Sequence, residues 1–309
     1  MSIGFEGRVA IVTGAGNGLG RSHALGLAAR GAKVVVNDLG AALDGTGTAS
    51  DAAAAVVAEI EAAGGTAIAD GANVTSMAAV EAMVARAMAS WGRVDILVNN
   101  AGILRDKTFA KMTLDDFRAV LDVHLMGSVN CCKAVWEIMR QQNYGRIVLT
   151  TSSSGLYGNF GQSNYGAAKM GMIGLMNVLH QEGAKTDIRV NALSPTAATR
   201  MTEALLPKEA LELMTPESIT PGVLYLVSEA APSRVILCAG AGGFAQTRIF
   251  ETEGIYLDEG ERTPDEIAAR FAQVSAMEGM RELTGAFEQT DKFVARAAAA
   301  KGVKLPERG

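Results

Sequence analysis

Cysteine, clustered positive charge and long apolar runs are all scarce in this chain of 309 residues. The cysteines are Cys131, Cys132 and Cys238, and two of them are adjacent. This favours buried thiols in a reducing compartment over a disulfide framework. The net charge is −5 and lysine and arginine form no cluster, which argues against nucleic acid or an anionic membrane surface as a partner.

Signals for targeting and for metal binding are also missing. No apolar run is long enough to cross a bilayer, and no apolar leader with a charged flank precedes the first predicted strand. Residues 306–309 do not form a Ser-Lys-Leu peroxisomal signal, so we expect a cytoplasmic protein. His23, His124 and His180 lack the spacing of metal ligands, and no metal site is predicted.

Short apolar runs alternate with long alanine-rich stretches along most of the chain. The apolar runs lie at residues 9–12, 34–36, 96–98, 147–149, 188–190 and 235–237. The stretches at 78–91 and 117–140 are long enough for helices that cover a sheet. Continuous apolar strands alternating with helices predict an α/β fold, a doubly wound parallel sheet of the Rossmann type.

The predicted sheet ends near residue 245, so we expect a Rossmann domain at 1–245 and a C-terminal extension at 246–309. Pro264 at a helix start and the alanine run at 295–300 predict that the extension is helical. It could cover a substrate groove, dock on a neighbouring subunit or pack as a surface tail. Leucines and a methionine between 205 and 214 suit an apolar groove and helix packing equally well.

A glycine-rich segment, Thr-Gly-Ala-Gly-Asn-Gly-Leu-Gly at residues 13–20, follows the first predicted strand and opens a helix. Glycine lets the backbone approach phosphate oxygens, and a helix N-terminus supplies free N–H groups. The strand and helix on either side make this a dinucleotide-binding turn. Its candidate cofactor contacts are Gly14, Asn17, Gly18, Leu19 and Gly20.

Asp38 follows the second predicted strand. A carboxylate there can accept hydrogen bonds from the ribose hydroxyls of NAD and would repel the 2′-phosphate of NADP. Asn17 is uncharged where a basic residue could have met that phosphate. We therefore predict NAD as the cofactor; the alternative is that Asp38 only caps the following turn.

Tyr165 and Lys169 are four residues apart and so share one face of a predicted helix, with Ser152 after the strand at 147–149. A nearby ammonium lowers the pKa of a phenol, so Tyr165 could move a proton on and off an alcohol oxygen. The Ser152 hydroxyl could bind that oxygen. The pair alone could be an exposed helix pair, but with the glycine turn it predicts hydride transfer between a secondary alcohol and a nicotinamide.

Together these residues resemble the short-chain dehydrogenase/reductase family over about residues 5–245. Asn-Asn-Ala-Gly at 99–102 and Asn191 before Pro195 belong to the same resemblance. The resemblance implies further cofactor contacts at Asn73, Val74, Asn100, Ala101, Gly102, Pro195 and Thr199, and a cofactor-ribose contact for Tyr165 and Lys169. It also implies a homodimer or homotetramer formed through the helices near 113–140 and 164–183.

A narrower similarity lies in residues 35–40, 99–106 and 157–162. These segments resemble the (3R)-hydroxyacyl-CoA dehydrogenase unit of type 2 multifunctional β-oxidation enzymes. The resemblance implies NAD-dependent oxidation of a (3R)-3-hydroxyacyl-CoA to the 3-oxoacyl-CoA, with an acyl-CoA as the small-molecule partner.

The chain departs from the wider family at three places. His124 stands where many members have a catalytic asparagine, and it could hold a water and pass protons or be a packed helix residue. Asn73 replaces an aspartate that bonds adenine, and its amide oxygen could still accept. Thr196 replaces the glycine after Pro195, which leaves Thr199 as the expected carboxamide contact.

Other functions stay open at this point. The same trio would serve a dehydrogenase of a free secondary alcohol such as a hydroxysteroid. NADPH-dependent reduction of 3-oxoacyl carriers is disfavoured by Asp38. A non-catalytic NAD-binding protein is disfavoured by the intact trio.

Overall fold

The computed structural model describes residues 2–42, 44–46, 51–197 and 207–306. Contacts divide the chain into two compact units, Met1–Thr247 and Arg248–Gly309. Among the described residues, no helix is long and apolar enough to cross a membrane.

Within the described residues of the first unit, eight strands form one sheet in the order β3-β2-β1-β4-β5-β6-β7-β8. The strands are β1 Val9–Thr13, β2 Lys33–Asn37, β3 Thr66–Asp70, β4 Ile96–Asn99, β5 Gly145–Thr150, β6 Ile188–Thr196, β7 Ile236–Gly240 and β8 Gly243–Thr247. Strands β1 to β7 pair in parallel, and β8 returns antiparallel to β7. The prediction of a doubly wound parallel sheet is confirmed, and β8 adds an antiparallel strand at its edge.

Two of these strands were not predicted from the sequence. Strand β3 lies at one edge of the sheet and is only partly buried, so its residues lack a continuous apolar run. Strand β8 contains one glycine and is almost wholly exposed. Both are held by pairing with a neighbouring strand, which an apolar pattern does not record.

Helices cover both faces of the sheet. The helices of the first unit are α1 Gly18–Ala28, α2 Asp51–Ala62, α3 Met77–Trp91, α4 Leu114–Leu121, α5 Gly127–Gln142, α6 Ser153–Tyr157, α7 Ser163–Gly183, α8 Lys208–Leu213 and α9 Thr220–Leu226. One core layer packs α1, α2 and α9 through Leu27, Ile60 and Val223. The other packs α3, α5 and α7 through Met83, Met139 and Met172.

The helix expected at 117–140 is not one regular helix. It comprises α4, a π-helical segment Asp122–Met126, and α5. Thr113 begins it, because its hydroxyl accepts the N–H of Asp116 at 3.1 Å. Asn143 ends it in the left-handed conformation. The π segment carries His124, and π turns of this kind occur frequently at functional sites.

The second unit contains three short or medium helices in its described part: α10 Pro264–Ala269, α11 Phe271–Val274 and α12 Ala286–Lys301. Ion pairs tie α12 to the segment before α10, since Lys292 pairs with Glu251 and Arg296 pairs with Glu253. The Lys292 ammonium also donates to the carbonyl of Thr252 at 2.9 Å. This unit therefore has its own internal polar contacts.

Candidate active site

A cavity of about 900 Å³ opens at the carboxyl ends of the central strands. Strand order reverses between β1 and β4, and ligands of open α/β sheets bind at such a switch point. Most of the residues predicted for the site line this cavity, namely Gly14, Asn17, Gly18, Leu19, Asp38, Asn73, Val74, Asn100, Ala101, Gly102, His124, Tyr165, Lys169 and Pro195.

Three predicted residues do not line the cavity as the described residues define it. Gly20 is buried in α1 and Ser152 is 9% exposed behind the lining. Thr199 lies outside the described residues. Pro195 is within β6 rather than after it, because that strand continues to Thr196.

Close approach between backbones explains the glycines of the turn. Gly14 and Gly18 have φ angles of 62° and 52°, in the left-handed region. A Cβ at Gly20 would lie 2.2 Å from the carbonyl oxygen of Gly14. Asn17 precedes α1 in an extended conformation and, among the described residues, gives no side-chain cap to the helix. The first N–H groups of α1 therefore suit a phosphate.

Asn100 and Thr13 hold the turn from below. The Asn100 amide donates to the carbonyls of Thr13 and Gly14, each at 3.0 Å. The Thr13 hydroxyl accepts the N–H groups of Asn100 and Ala101 at 3.0 and 3.1 Å. Thr13 was not among the predicted site residues, although it heads the glycine segment. These bonds lock the turn after β1 to the turn after β4.

Asp38 already accepts two backbone hydrogen bonds. Its Oδ2 accepts the N–H of Gly16 at 2.8 Å, and its Oδ1 accepts the N–H of Gly40 at 2.7 Å. The carboxylate thus caps the turn that follows β2, as the structural alternative expected. It also fixes the glycine turn, and it still lines the cavity where a ribose would lie.

The amide of Asn73 is used within its own turn. Its oxygen accepts the N–H and the hydroxyl of Thr75 at 3.0 and 2.9 Å. The oxygen thus has two partners within its own turn, and a contact of Asn73 with adenine stays a prediction. Val74 packs beside it, where a Cβ at Gly127 would come within 2.7 Å of the valine side chain.

Tyr165 and Lys169 share the inner face of α7, as the spacing predicted. The Lys169 ammonium donates to the carbonyl of Thr150 at 2.6 Å and lies 5.4 Å from the centre of the Tyr165 ring. Ser152 begins α6, and its oxygen accepts the N–H of Ser154 at 3.2 Å. Ser152 lowers the pKa of the Tyr165 phenol, against the effect of burial. Thr150, which ends β5, is a site residue that the sequence reasoning missed.

Burial shifts both pKa values against the charged forms. Burial raises the pKa of Tyr165. Ser152 lowers this pKa, and the charge of Asp106 raises it further. Burial lowers the pKa of Lys169 to about 7. In the chain without cofactor, desolvation of the phenolate is therefore the larger effect on the pKa of Tyr165, and a pKa lowered by Lys169 together with the nicotinamide ring stays a prediction.

His124 lies against Tyr165, with its ring edge-on at a centroid distance of 5.1 Å and an angle of 89°. It is 2% exposed. Its Nε2 lies 3.1 Å from the nitrogen and 2.8 Å from the oxygen of Ile103. Burial first, and then the charge of Lys169, hold the pKa of His124 well below its ordinary value, so the ring is neutral.

The residues between 205 and 214 give a divided result. Leu205 and Leu206 lie outside the described residues. Leu213 on α8 is 70% exposed, whereas Met214 is buried.

No group of three histidine, cysteine, aspartate or glutamate side chains that could hold a metal ion occurs in the described part of the chain.

The short chain dehydrogenase family model matches residues 8–210. The chain belongs to the short-chain dehydrogenase family. It is accordingly an oxidoreductase that acts on a CH–OH group. The predicted trio and glycine turn both fall within the matched region.

Two relatives show how the match extends along the chain. A short-chain type dehydrogenase/reductase of Mycobacterium tuberculosis is 48% identical over 90% of this chain and 97% of its own length. Peroxisomal multifunctional enzyme A of Dictyostelium discoideum is 46% identical over 96% of this chain. This chain spans 66% of the Dictyostelium enzyme, so it corresponds to a part of that protein.

Solved structures give the same relationship. Full-length peroxisomal multifunctional enzyme type 2 from Drosophila melanogaster superposes with a TM-score of 0.80 and 37% identity, covering 96% of this chain and 50% of that one. A 7α-hydroxysteroid dehydrogenase complexed with NADH and 7-oxo glycochenodeoxycholic acid superposes with a TM-score of 0.70 and 31% identity. The match covers 79% of this chain and 96% of that one. The resemblance to type 2 multifunctional enzymes is thereby confirmed.

Proposed function

We propose that this chain is an NAD-dependent dehydrogenase that oxidises a (3R)-3-hydroxyacyl-CoA to the 3-oxoacyl-CoA. The observation that carries the chemistry is that Tyr165 and Lys169 line the cavity that the glycine turn also borders. The acyl-CoA substrate is supported by the likeness to the multifunctional enzymes over nearly the whole chain.

The residues of the cavity fit a nicotinamide dinucleotide. Gly14, Gly18 and Leu19 of the glycine turn line the cavity, where the first N–H groups of α1 would meet the phosphates. Asp38 would accept the hydroxyls of the adenosine ribose and disfavour a 2′-phosphate, which supports NAD over NADP. Lys169 and Thr150 would hold the nicotinamide ribose. When bound, the cofactor accepts the hydride from C3 of the substrate.

Proton transfer falls to Tyr165 in this proposal. Its phenolate oxygen takes the proton from the substrate hydroxyl as the C3–H bond breaks, so the hydroxyl becomes a carbonyl. The Ser152 hydroxyl, at the start of α6, orients the reacting oxygen. Lys169 stabilises the phenolate when it forms. Pro195 and the remaining lining residues enclose the cavity.

The test follows the absorbance of NADH formed from NAD and a panel of (3R)- and (3S)-3-hydroxyacyl-CoAs, beside free hydroxysteroids. Selective turnover of the (3R) thioesters with NAD is expected. Turnover with NADP at comparable kcat/KM would contradict the role of Asp38. Tyr165→Phe is expected to abolish turnover and to retain NADH binding, because it removes only the phenolic hydroxyl.

A free secondary alcohol is the second candidate substrate. The likeness to the hydroxysteroid dehydrogenase over 79% of this chain favours it, and the trio would act identically. Turnover of free hydroxysteroids alone would replace the acyl-CoA proposal by this one. A homodimer or homotetramer and a cytoplasmic location stay predictions from the sequence.

A further inference from the structure

His124 and Gly102 pack so closely that each restricts the other's identity. A Cβ at Gly102 would lie 2.2 Å from Cε1, 2.9 Å from Nδ1 and 3.1 Å from Nε2 of the imidazole. Distances below 3.0 Å essentially never occur for a real Cβ. The atoms in question belong to a buried ring, which cannot swing aside as a flexible side-chain end could. With histidine at 124, only glycine fits at 102.

The same ring holds the turn that follows β4. Its Nε2 contacts both backbone polar atoms of Ile103, at 3.1 and 2.8 Å. Ile103 directly follows Ala101 and Gly102, which line the cavity. The rings of His124 and Tyr165 pack in a T-shaped arrangement, with an angle of 89° between their planes. One side chain therefore connects the cofactor-side turn to the catalytic helix α7.

The backbone around His124 is built to present this ring. The π segment Asp122–Met126 widens the helix at this point. The hydroxyl of Ser128 donates to the carbonyl of His124 at 2.7 Å and so ties the widened turn to α5. Nδ1 is fully enclosed and has no hydrogen-bond partner among the described residues. One ring nitrogen is thus held at Ile103, and the other is enclosed by the protein.

We propose that His124 is a positioning residue paired with Gly102, which fixes the turn at Ile103 and the ring of Tyr165 and exchanges no proton during the reaction. The proposal rests on the proposed function only where kcat and KM are measured. Of the two alternatives that the sequence leaves open for His124, the proposal takes the packed helix residue and not the proton-passing group.

The experiment compares Gly102→Ala, His124→Asn and the double variant with the wild-type chain. Gly71→Ala is the matched control, because a Cβ there meets no described atom within 4 Å. The measurements are the NADH dissociation constant, the melting temperature, and kcat and KM for the alcohol that the wild type oxidises. Coupling between contacting residues commonly amounts to about tenfold, which sets the scale.

Gly102→Ala is expected to weaken NADH binding about tenfold, and the added His124→Asn is expected to restore most of it, because asparagine removes the atoms that clash. His124→Asn alone is expected to lower kcat about tenfold, with KM values little changed and the pH profile of kcat unmoved. The pairing would be overturned if the loss of NADH affinity in the double variant equalled the product of the losses in the two single variants.

A pH profile or a solvent isotope effect that changes in His124→Asn would overturn the claim that His124 exchanges no proton. If Gly102→Ala does not fold, recovery of folding in the double variant supports the pairing, and failure of both overturns it. A wild type that oxidises no acyl-CoA refutes the proposed function alone. The NADH affinities and melting temperatures then still decide the coupling between Gly102 and His124.

Discussion

Replacing Asp38 by alanine tests the glycine turn and the cofactor preference together. In the cofactor-free protein, the carboxylate accepts the N–H groups of Gly16 and Gly40 at 2.8 and 2.7 Å. Hydrogen bonds to charged groups contribute about 1.5–3 kcal/mol each when buried. Asp38 is half-buried, so a value of about 1 kcal/mol for each is appropriate. Asp38→Ala should therefore cost about 2 kcal/mol of unfolding free energy.

This loss corresponds to a melting temperature lower by about 4–8 °C for a domain of this size. Asp38→Asn should lose about half as much, because its amide keeps one acceptor oxygen. Scanning calorimetry of the cofactor-free proteins measures the shift, and Glu81→Ala, which removes an exposed charge on α3, is the control. An Asp38→Ala protein that melts with the wild type would refute the structural part of this reasoning.

The same variant should bind NAD at least about tenfold more weakly, while NADP binding changes less, because the carboxylate that repels a 2′-phosphate is gone. Titration of NADH and NADPH fluorescence measures both affinities. A parallel loss for the two cofactors would mean that Asp38 acts only by shaping the turn. Loss of NAD affinity with unchanged melting would mean that it acts only on the ribose.

Three further predictions concern the turn, the lysine and the cysteines. Gly20→Ala should abolish NADH binding, since its Cβ would lie 2.2 Å from the Gly14 oxygen. Gly174→Ala is the control, because a Cβ there meets no described atom within 4 Å. Equal NADH binding by the two variants would contradict the prediction. Burial lowers the pKa of Lys169 from 10.5 to about 7. Between pH 7 and pH 10.5, Lys169 is therefore protonated in the unfolded chain and deprotonated in the folded one. Wild-type stability should therefore rise with pH across that window, by up to about 1.4 kcal/mol per pH unit, and Lys169→Met should remove this slope in urea denaturation. Burial raises the pKa of Cys131, and raises that of Cys132 to about 12. Neither should react with a thiol reagent in the native protein at pH 8, as counted by mass spectrometry, and rapid labelling of either without unfolding would show that the helix face opens.

Features that depend on neighbouring residues could be predicted from the sequence. The glycine turn is one, because Gly14, Gly18 and Gly20 act within eight residues on a backbone that only glycine allows. The Tyr165 and Lys169 pair is another, because a helix turn fixes its geometry. The six predicted strands could be found for the same reason, since each contains a short run rich in apolar residues.

Features that depend on distant contacts could not be predicted. Strand β8 exists because it pairs with β7, and its own five residues are almost wholly exposed. The second role of Asp38 requires Gly16, 22 residues away in sequence. The contacts of the His124 ring with Ile103 are of the same kind, because the two residues are 21 positions apart in the sequence.

The ionisation of Tyr165 and Lys169 depends on burial, and its direction bears on the proposed reaction. A spacing of four residues predicts that an ammonium lies near the phenol, but it does not report the water that both groups lose. Burial raises the pKa of Tyr165 and lowers that of Lys169 to about 7, so both shifts oppose the charged forms. Under the proposed function, the positive charge of an oxidised nicotinamide would act with Lys169 to favour the phenolate. Tyr165 would therefore be a stronger base with oxidised cofactor bound than in the chain without it.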